Sequence, residues 1–250
     1  VEGEDNTFLL AWTTTPWTLP SNCALTVRKN LRYAYARRDD EILILAEDLL
    51  DKVLGEDRYE VLKTVSGEDL LGQRYQPIFN FAVPEGGDHH LIIDADFVTT
   101  SAGTGIVHTA PAFGEDDNRA AMKHGVGLLQ LIGPDGRFLP GTGELEGLFC
   151  KEADRPIIRD LKGRGLLFEE KTYRHDYPFC WRADEDPLIQ YARPAWFIRT
   201  TEVIERAKAS NQAINWIPGH IKDGRFGQFL ANNVDWALSR ERFWGTPLPI

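Results

Sequence analysis

Basic residues are outnumbered in this chain: 28 Lys and Arg stand against 38 Asp and Glu, a net charge of −10. A broad phosphate-tracking face needs clustered Lys and Arg, so extended binding along a nucleic-acid backbone is excluded. A small pocket gripping one nucleotide end is not. Long apolar runs are also missing, and nothing approaches the ~20 residues of a membrane helix. Cysteine is scarce and odd in number, with Cys23, Cys150 and Cys180 widely spaced. That argues against a disulfide framework and for a reducing, cytoplasmic compartment. No Cys-x-x-Cys or His-x-x-x-His pair offers metal spacing. Cys180-Trp181-Arg182-Ala183 holds only the first half of one, so no metal is expected. The acidic start, Val1-Glu2-Gly3-Glu4-Asp5, has neither Met nor an apolar signal region. We expect it to be the cut end of an excised piece.

What is present is the composition of a globular protein, 42% apolar and 26% charged over 250 residues. That length allows one large domain or a domain with an appendage. Up to about Lys171 the signals are mostly short strands. They are Thr7–Thr14, Ala24–Val27, a hairpin of Arg32–Arg37 and Glu41–Ala46, Tyr59–Val65, Leu91–Ala95, Gly105–Thr109 and Val126–Ile132. Glycines mark the turns between them. Helices are expected at Glu47–Leu54, Glu115–His124 and Glu152–Gly163. After Tyr173 the texture changes. Five of the seven tryptophans fall there (Trp181, Trp196, Trp216, Trp236 and Trp244), with helix-like patterns at Thr201–Ser210 and Gly219–Leu238. The expected class is α+β: a curved or closed, barrel-like sheet with peripheral helices over 1–172, then a mixed, helix-containing extension over 173–250. The extension is expected to be truncated, its aromatics packing on a further part of the protein.

Two stretches carry the candidate chemistry. In "AWTTTPWTLPSN" (Ala11–Asn22), three β-branched threonines favour extended backbone, and Pro16 and Pro20 stop a strand or confine it to an edge. The row is either an ordinary strand end or a line of hydroxyls at a pocket mouth. In "SAGTGIVHTAPAFGEDDNRAAMKHG" (Ser101–Gly125), a glycine turn leads into a short strand ending at His108, and Gly114-Glu115-Asp116-Asp117 opens a helix. Acids in a first helical turn gain ~0.3–1 kcal/mol each from the helix dipole, so a structural role is open to all three. Three exceed what capping requires, which leaves one to face a cleft and hold a cation. His108 is open to two uses, core residue or pocket residue. These residues define a pocket of hydroxyls, an imidazole and carboxylates, without fixing a reaction.

"TTTPWTLPSN" (Thr13–Asn22) followed by "GTGIVHTAPAFGEDD" (Gly103–Asp117) resembles the editing domain inserted into isoleucyl-tRNA synthetases. The valyl and leucyl enzymes carry an Arg-Pro-acid-Thr pattern where this chain has Thr15-Pro16-Trp17-Thr18. The tail from Trp216 to Ile250 resembles the segment returning to the synthetase catalytic domain. Neither His-Ile-Gly-His nor Lys-Met-Ser-Lys-Ser is present, so this chain is not expected to charge tRNA. ATP and magnesium would serve only the parent enzyme's aminoacylation site.

The resemblance implies post-transfer editing: hydrolysis of the ester of mischarged Val-tRNA(Ile), with isoleucine excluded by size. One methylene is worth only ~1–3 kcal/mol in an apolar pocket, isoleucyl enzymes being the standard illustration of that limit. A second, smaller pocket must therefore work by overlap repulsion. On the same resemblance, Asp117 would accept the substrate's α-ammonium. His108 would form the wall that collides with isoleucine and would also bond the terminal ribose. Thr13, Thr14, Thr15, Thr18 and Asn22 would line the adenosine end and position the attacking water. Hydroxyls without an adjacent base are poor nucleophiles, so direct attack by water is expected, with no cofactor. Trp12 and Trp17 would either stack on the terminal base or pack in the core; their residue type favours the core. The implied partners are the 3′ end of isoleucine tRNA carrying valine, valyl adenylate and the parent catalytic domain, with no membrane; the piece is expected to be monomeric. The alternative is a non-catalytic insert that docks the tRNA acceptor end.

Overall fold

Alternation of side chains across two strands lays down the first sheet. Tyr33, Tyr35 and Ile44 face one buried cluster, and Ala34, Ala36, Leu43 and Leu45 face another, so the middle of this sheet is covered on both sides. The computed structural model describes residues 1–172, 176–181 and 183–240. In chain order its first strands are β1 (Thr7–Leu9), β2 (Ala24–Val27), β3 (Arg32–Arg38), β4 (Glu41–Ala46) and β5 (Glu60–Ser66). Helix α1 (Leu50–Leu54) lies between β4 and β5, and α2 (Gly67–Leu70) follows β5. Then come β6 (Leu91–Asp94), β7 (Val107–Thr109), α3 (Glu115–His124) and α4 (Asp154–Gly163).

The first sheet has the order β1-β4-β3-β5, with β1 parallel to β4 and the other pairs antiparallel. The second has the order β6-β2-β7, with β2 at its centre, parallel to β6 and antiparallel to β7. All four residues of β2 are buried. Leu25 and Val27 join the core beneath the first sheet, while Ala24 joins a second core with Trp17, Phe113, Ile157 and Leu161. The second sheet is thus the partition between two cores, and the chemistry-bearing segments lie beside it.

The mixed α+β class holds, but no closed barrel is found among the described strands. They form separate sheets, and an isolated bridge joins Trp12, in the segment after β1, to Val107 on β7. Three expected elements also differ. The strand over Thr7–Thr14 ends at Leu9, because the chain leaves the ladder before the threonines. Val126–Ile132 forms only isolated bridges, through Val126, Leu128 and Ile132. The helix expected over Gly219–Leu238 is confined to Arg225–Ala231, since Gly224 precedes it and Asn232-Asn233 follows.

Contacts divide the chain into two compact units, Val1–Ala192 and Arg193–Ile250. The boundary expected at 172/173 stands beside residues 173–175, which lie outside the described ones. The first unit includes a small β8 (Phe179–Cys180) and β9 (Ala183–Pro187) pair. It keeps its last residues through Tyr191, whose hydroxyl donates to the Ile132 carbonyl, and Ala192, whose N–H donates to the Ala112 carbonyl. In the second unit, β10 (Phe197–Ile198) pairs with β11 (Trp236–Ala237), and α5 (Ile204–Ala213) packs on α6 (Arg225–Ala231). Trp216 donates to Asn211 and packs its ring 4.9 Å from that of Phe226. Trp196 and Trp236 are exposed. Trp244 and the rest of 241–250 lie outside the described residues, as does Arg182 of the half-motif at Cys180.

Candidate functional site

Pro16 opens a 3-10 turn, Pro16–Ser21, and its fixed φ suits a first helical position. Thr15 precedes the turn. Its backbone N–H donates to Thr13 Oγ1 at 3.0 Å, so the threonine row is a hydroxyl-closed turn and not a strand. Thr13 and Thr15 hydroxyls lie 3.4 Å apart, and Thr15 and Thr18 hydroxyls lie 3.4 Å apart. Thr14 points to the exposed side. The N–H of Trp17 is taken by Asp154 Oδ1 at 2.8 Å, which ties the turn to the start of α4. The Trp17 ring is 3% exposed and lies edge-on to Phe113 at 5.1 Å, in the core. Trp12 is exposed and lies over Gly103, where a Cβ would come within 3.0 Å of its ring.

His108 sits on β7 and is buried, with both ring nitrogens engaged. Nε2 lies 3.0 Å from Thr18 Oγ1, and Nδ1 lies 2.8 Å from Asn22 Nδ2. The proton positions follow by elimination. Asn22 also donates to the carbonyl of Ala24 at 2.9 Å, and a carbonyl only accepts, so the atom facing it is the amide nitrogen. That same nitrogen faces Nδ1, which must therefore hold a lone pair. The proton of neutral His108 is then on Nε2 and goes to Thr18, whose own hydroxyl proton goes to the Thr15 carbonyl at 2.8 Å. Burial drives the imidazole down to about 4, which keeps it neutral at ordinary pH. A bond from His108 to a ribose would require one of these bonds to break.

Asp117 stands in the first turn of α3 but does not cap it. Gly114, the residue before the helix, receives no side-chain cap, and Asp117 Oδ2 instead accepts the N–H of Ala110 at 2.8 Å. The carboxylate is thereby fixed just beyond the end of β7, two residues past His108. Burial raises its pKa to about 6, against the opposing pull of the Ala110 N–H. Its neighbours Glu115 and Asp116 are exposed and pair with Arg119 on the surface. One acid of the three therefore faces inward.

His108 and Asn22 line a cavity of about 650 Å³, together with Leu10, Leu19, Leu25 and Tyr75. The lining is mixed, since Glu4, Asp5, Arg38, Asp39 and Glu41 also contribute to it, and Asp117 and Thr13, Thr14, Thr15 and Thr18 are not among its residues. Among the described residues no cluster of three His, Cys, Asp or Glu side chains has the arrangement to hold a metal ion. Likewise no helix among them is long and apolar enough to cross a membrane.

The structure thus brings together Thr13, Thr15, Thr18, Asn22 and His108, and ties Asp117 to the backbone N–H of Ala110, the second residue after His108. It buries Trp17 in the core. Three contributors had been given no role at the site: Tyr75, whose hydroxyl donates to Asn22 Oδ1; Asp154; and Gly114, where a Cβ would come within 2.9 Å of Asp117 Cγ. Tyr75 and Asp154 reach the site over 53 and 137 residues of sequence, with no local pattern to announce them. Gly114 alone had a signal, as the glycine that opens "GEDD".

The chain has close sequence relatives and solved structures of similar fold. The chain is 46% identical over 250 residues to isoleucine–tRNA ligase of Clostridium tetani, covering 100% of this chain and 24% of that protein. It is 48% identical over 248 residues to isoleucine–tRNA ligase of Thermus thermophilus, covering 99% of this chain and 23% of that protein. The chain therefore spans about a quarter of the length of these curated relatives. In fold it is similar to the CP1 domain of GlLeuRS, with a TM-score of 0.52 at 19% identity over 68% of this chain and 87% of that one. A similar match is the editing domain of the P. falciparum cytosolic leucyl-tRNA synthetase, with a TM-score of 0.50 at 13% identity over 64% of this chain and 77% of that one. The model of the class I tRNA synthetases (I, L, M and V) matches residues 9–250, and the chain belongs to that family.

Proposed function

We propose that this chain is the editing part of an isoleucyl-tRNA synthetase and hydrolyses the ester of valine mischarged onto isoleucine tRNA. The observation that carries this reading is a hydrogen-bond-saturated His108 in the wall of a cavity, with the Asp117 carboxylate fixed on the backbone two residues further along. A wall that cannot rotate away excludes by shape. A carboxylate facing inward can accept the α-ammonium of an aminoacyl ester in a charge-assisted bond, which a bare 3′ end lacks.

In this reading Asp117 fixes the scissile ester, and His108 with Asn22 behind it meets the extra methyl of isoleucine. The hydroxyls of Thr13 and Thr15 position water and bond the developing oxyanion, while Thr18, whose own proton goes to the Thr15 carbonyl, holds Nε2 of His108 in place. Thr14, on the exposed side, contacts the incoming acceptor end, where exposed Trp12 offers its ring to the terminal base. Trp17 holds the turn from within the core. Water adds to the ester carbonyl and the bond to the ribose oxygen breaks, giving valine and a free terminal hydroxyl. The neighbouring ribose hydroxyl relays the proton, so no acyl-enzyme and no cofactor are needed. Aminoacylation, with its ATP and magnesium, belongs to a catalytic domain elsewhere in the parent cytoplasmic enzyme, and the isolated chain is a monomer that binds tRNA weakly.

The test is deacylation of the valyl, threonyl and isoleucyl esters of isoleucine tRNA by the chain and its Asp117→Ala variant, at high protein concentration with a no-protein control. Cleavage of the valyl ester alone, lost in the variant, is expected. Preferential cleavage of a threonyl ester would reassign the substrate. No turnover above the control would favour a module that only docks the acceptor end.

A further inference from the structure

We infer that Tyr75 is a positioning residue of this pocket, holding Asn22 so that His108 is kept as its Nε2–H tautomer and stands as a fixed specificity wall. The inference deepens the editing reading and rests on it for its catalytic consequence, but its structural part can be tested without substrate.

Tyr75 follows α2 and has no sequence link to either motif. Its backbone N–H donates to the carbonyl of His90 at 3.1 Å, and the N–H of His90 donates to that of Cys23, the residue after Asn22. The ring lies edge-on to His90 at 5.9 Å. The tyrosine is thereby held from behind, and its hydroxyl donates to Asn22 Oδ1. This bond completes the amide: two donors, to Ala24 and His108, and one acceptor, from Tyr75. Burial pushes the phenol well above its usual range, so it remains a donor at any working pH.

Each member constrains the next in one direction. Tyr75 can only donate to Asn22 Oδ1 if the amide oxygen faces it. The amide nitrogen then faces Ala24 and His108, and His108 must put its proton on Nε2. Without the Tyr75 hydroxyl, the buried amide oxygen has no donor, and the Ala24 carbonyl, which opposes a flip, is the one restraint left on the amide. Asn22 regains a donor by shifting out of place, which loosens its bond to Nδ1, so that the tautomer is less firmly fixed and the imidazole can tilt away from the cavity that all three residues line. A larger side chain would gain entry.

The experiment is nitrogen-15 NMR of His108 in the histidine-labelled chain, in wild type and Tyr75→Phe, with Val-tRNA and Ile-tRNA deacylation run on the same samples. In wild type at pH 7, His108 should show a protonated Nε2 and a bare Nδ1. Tyr75→Phe keeps the ring and should give a mixed tautomer signal. The kcat/KM ratio of valyl to isoleucyl ester should fall by about tenfold, the scale of one buried hydrogen bond, with the isoleucyl ester gaining. A wild-type His108 that is Nδ1-protonated or charged would overturn the inference without any variant. So would a Tyr75→Phe chain with unchanged tautomer and unchanged discrimination. If the tautomer shifts as expected and neither ester is cleaved by wild type, the positioning role stands and the editing reading fails.

Discussion

Gly114 and Asp117 are packed so closely that the glycine has no room for a single added carbon: its Cβ would lie 2.9 Å from Asp117 Cγ and 3.2 Å from Oδ2. The backbone there is extended, with φ −146, so alanine is conformationally allowed and only the carboxylate must yield. Gly114→Ala should displace Asp117 from the Ala110 N–H. We expect valyl-ester kcat/KM to drop by about tenfold or more while the fold persists, since a 1 Å misplacement can cost that much. Deacylation kinetics beside a thermal melt would show it; unchanged kinetics would mean that Asp117 does not need this position.

Asp117 also carries a stability cost. Its carboxyl ionises at 3.8 ordinarily and at about 6 in the folded chain, so folding works against the charge. The cost is full above pH 6 and disappears below about 4. Asp117→Asn should therefore raise the melting temperature at pH 7.5 and lose that advantage near pH 4, while valyl-ester hydrolysis collapses. A variant less stable than wild type at pH 7.5 would contradict this account.

For His108 the expected outcome is a change of specificity. His108→Ala removes the wall, and Ile-tRNA should become a substrate within about tenfold of Val-tRNA, because what remains is the small attraction of one methylene. Its pH signature is opposite to that of Asp117. With a folded pKa of about 4 against an ordinary 6.5, wild-type His108 costs stability as pH falls from 6.5 towards 4 and nothing above that. The variant should lack this loss in acid melts.

Asp154 joins α4 to the threonine turn through the Trp17 N–H. Asp154→Ala leaves that donor without its partner and should destabilise the chain by about 1–3 kcal/mol. Asp154→Asn, which still presents an oxygen, should recover most of the loss in a urea titration.

Gly105 tests the structural side of the glycine-rich motif. It adopts φ +76, and a Cβ would lie 2.4 Å from that of Ala46 on β4. Gly105→Ala combines backbone strain with a collision between sheets and should cost about 2–4 kcal/mol by melting.

Much of this was legible. Helix α3 spans Glu115–His124 as its acidic start and Gly125 indicate, and β2 spans Ala24–Val27. Local rules govern both. Thr13–Thr15 resisted the same rules because β-branching favours extended backbone but does not require a sheet partner; hydroxyls can close a turn just as well. Val126–Ile132 has strand-like residues but, among the described residues, meets single bridging partners at Asp88, Glu85 and Phe138 in place of a ladder. At the site, His108, Asn22 and Asp117 stood out within short motifs. Tyr75 and Asp154 did not, because their contribution is a contact made over a long loop, and contact at that distance is decided by topology.

The hydrogen bonds from Asn22 to Thr15 have one further consequence. Every proton in that run points the same way, from Asn22 into His108, from His108 into Thr18, and from Thr18 into a carbonyl that has none to pass on. Such a wire has a dead end. It can transmit no net proton to a substrate, so the imidazole serves as masonry and takes no part in acid–base exchange. Hydrolysis should then carry no inflection from His108, and a bend in its profile near pH 6 belongs to the Asp117 carboxyl.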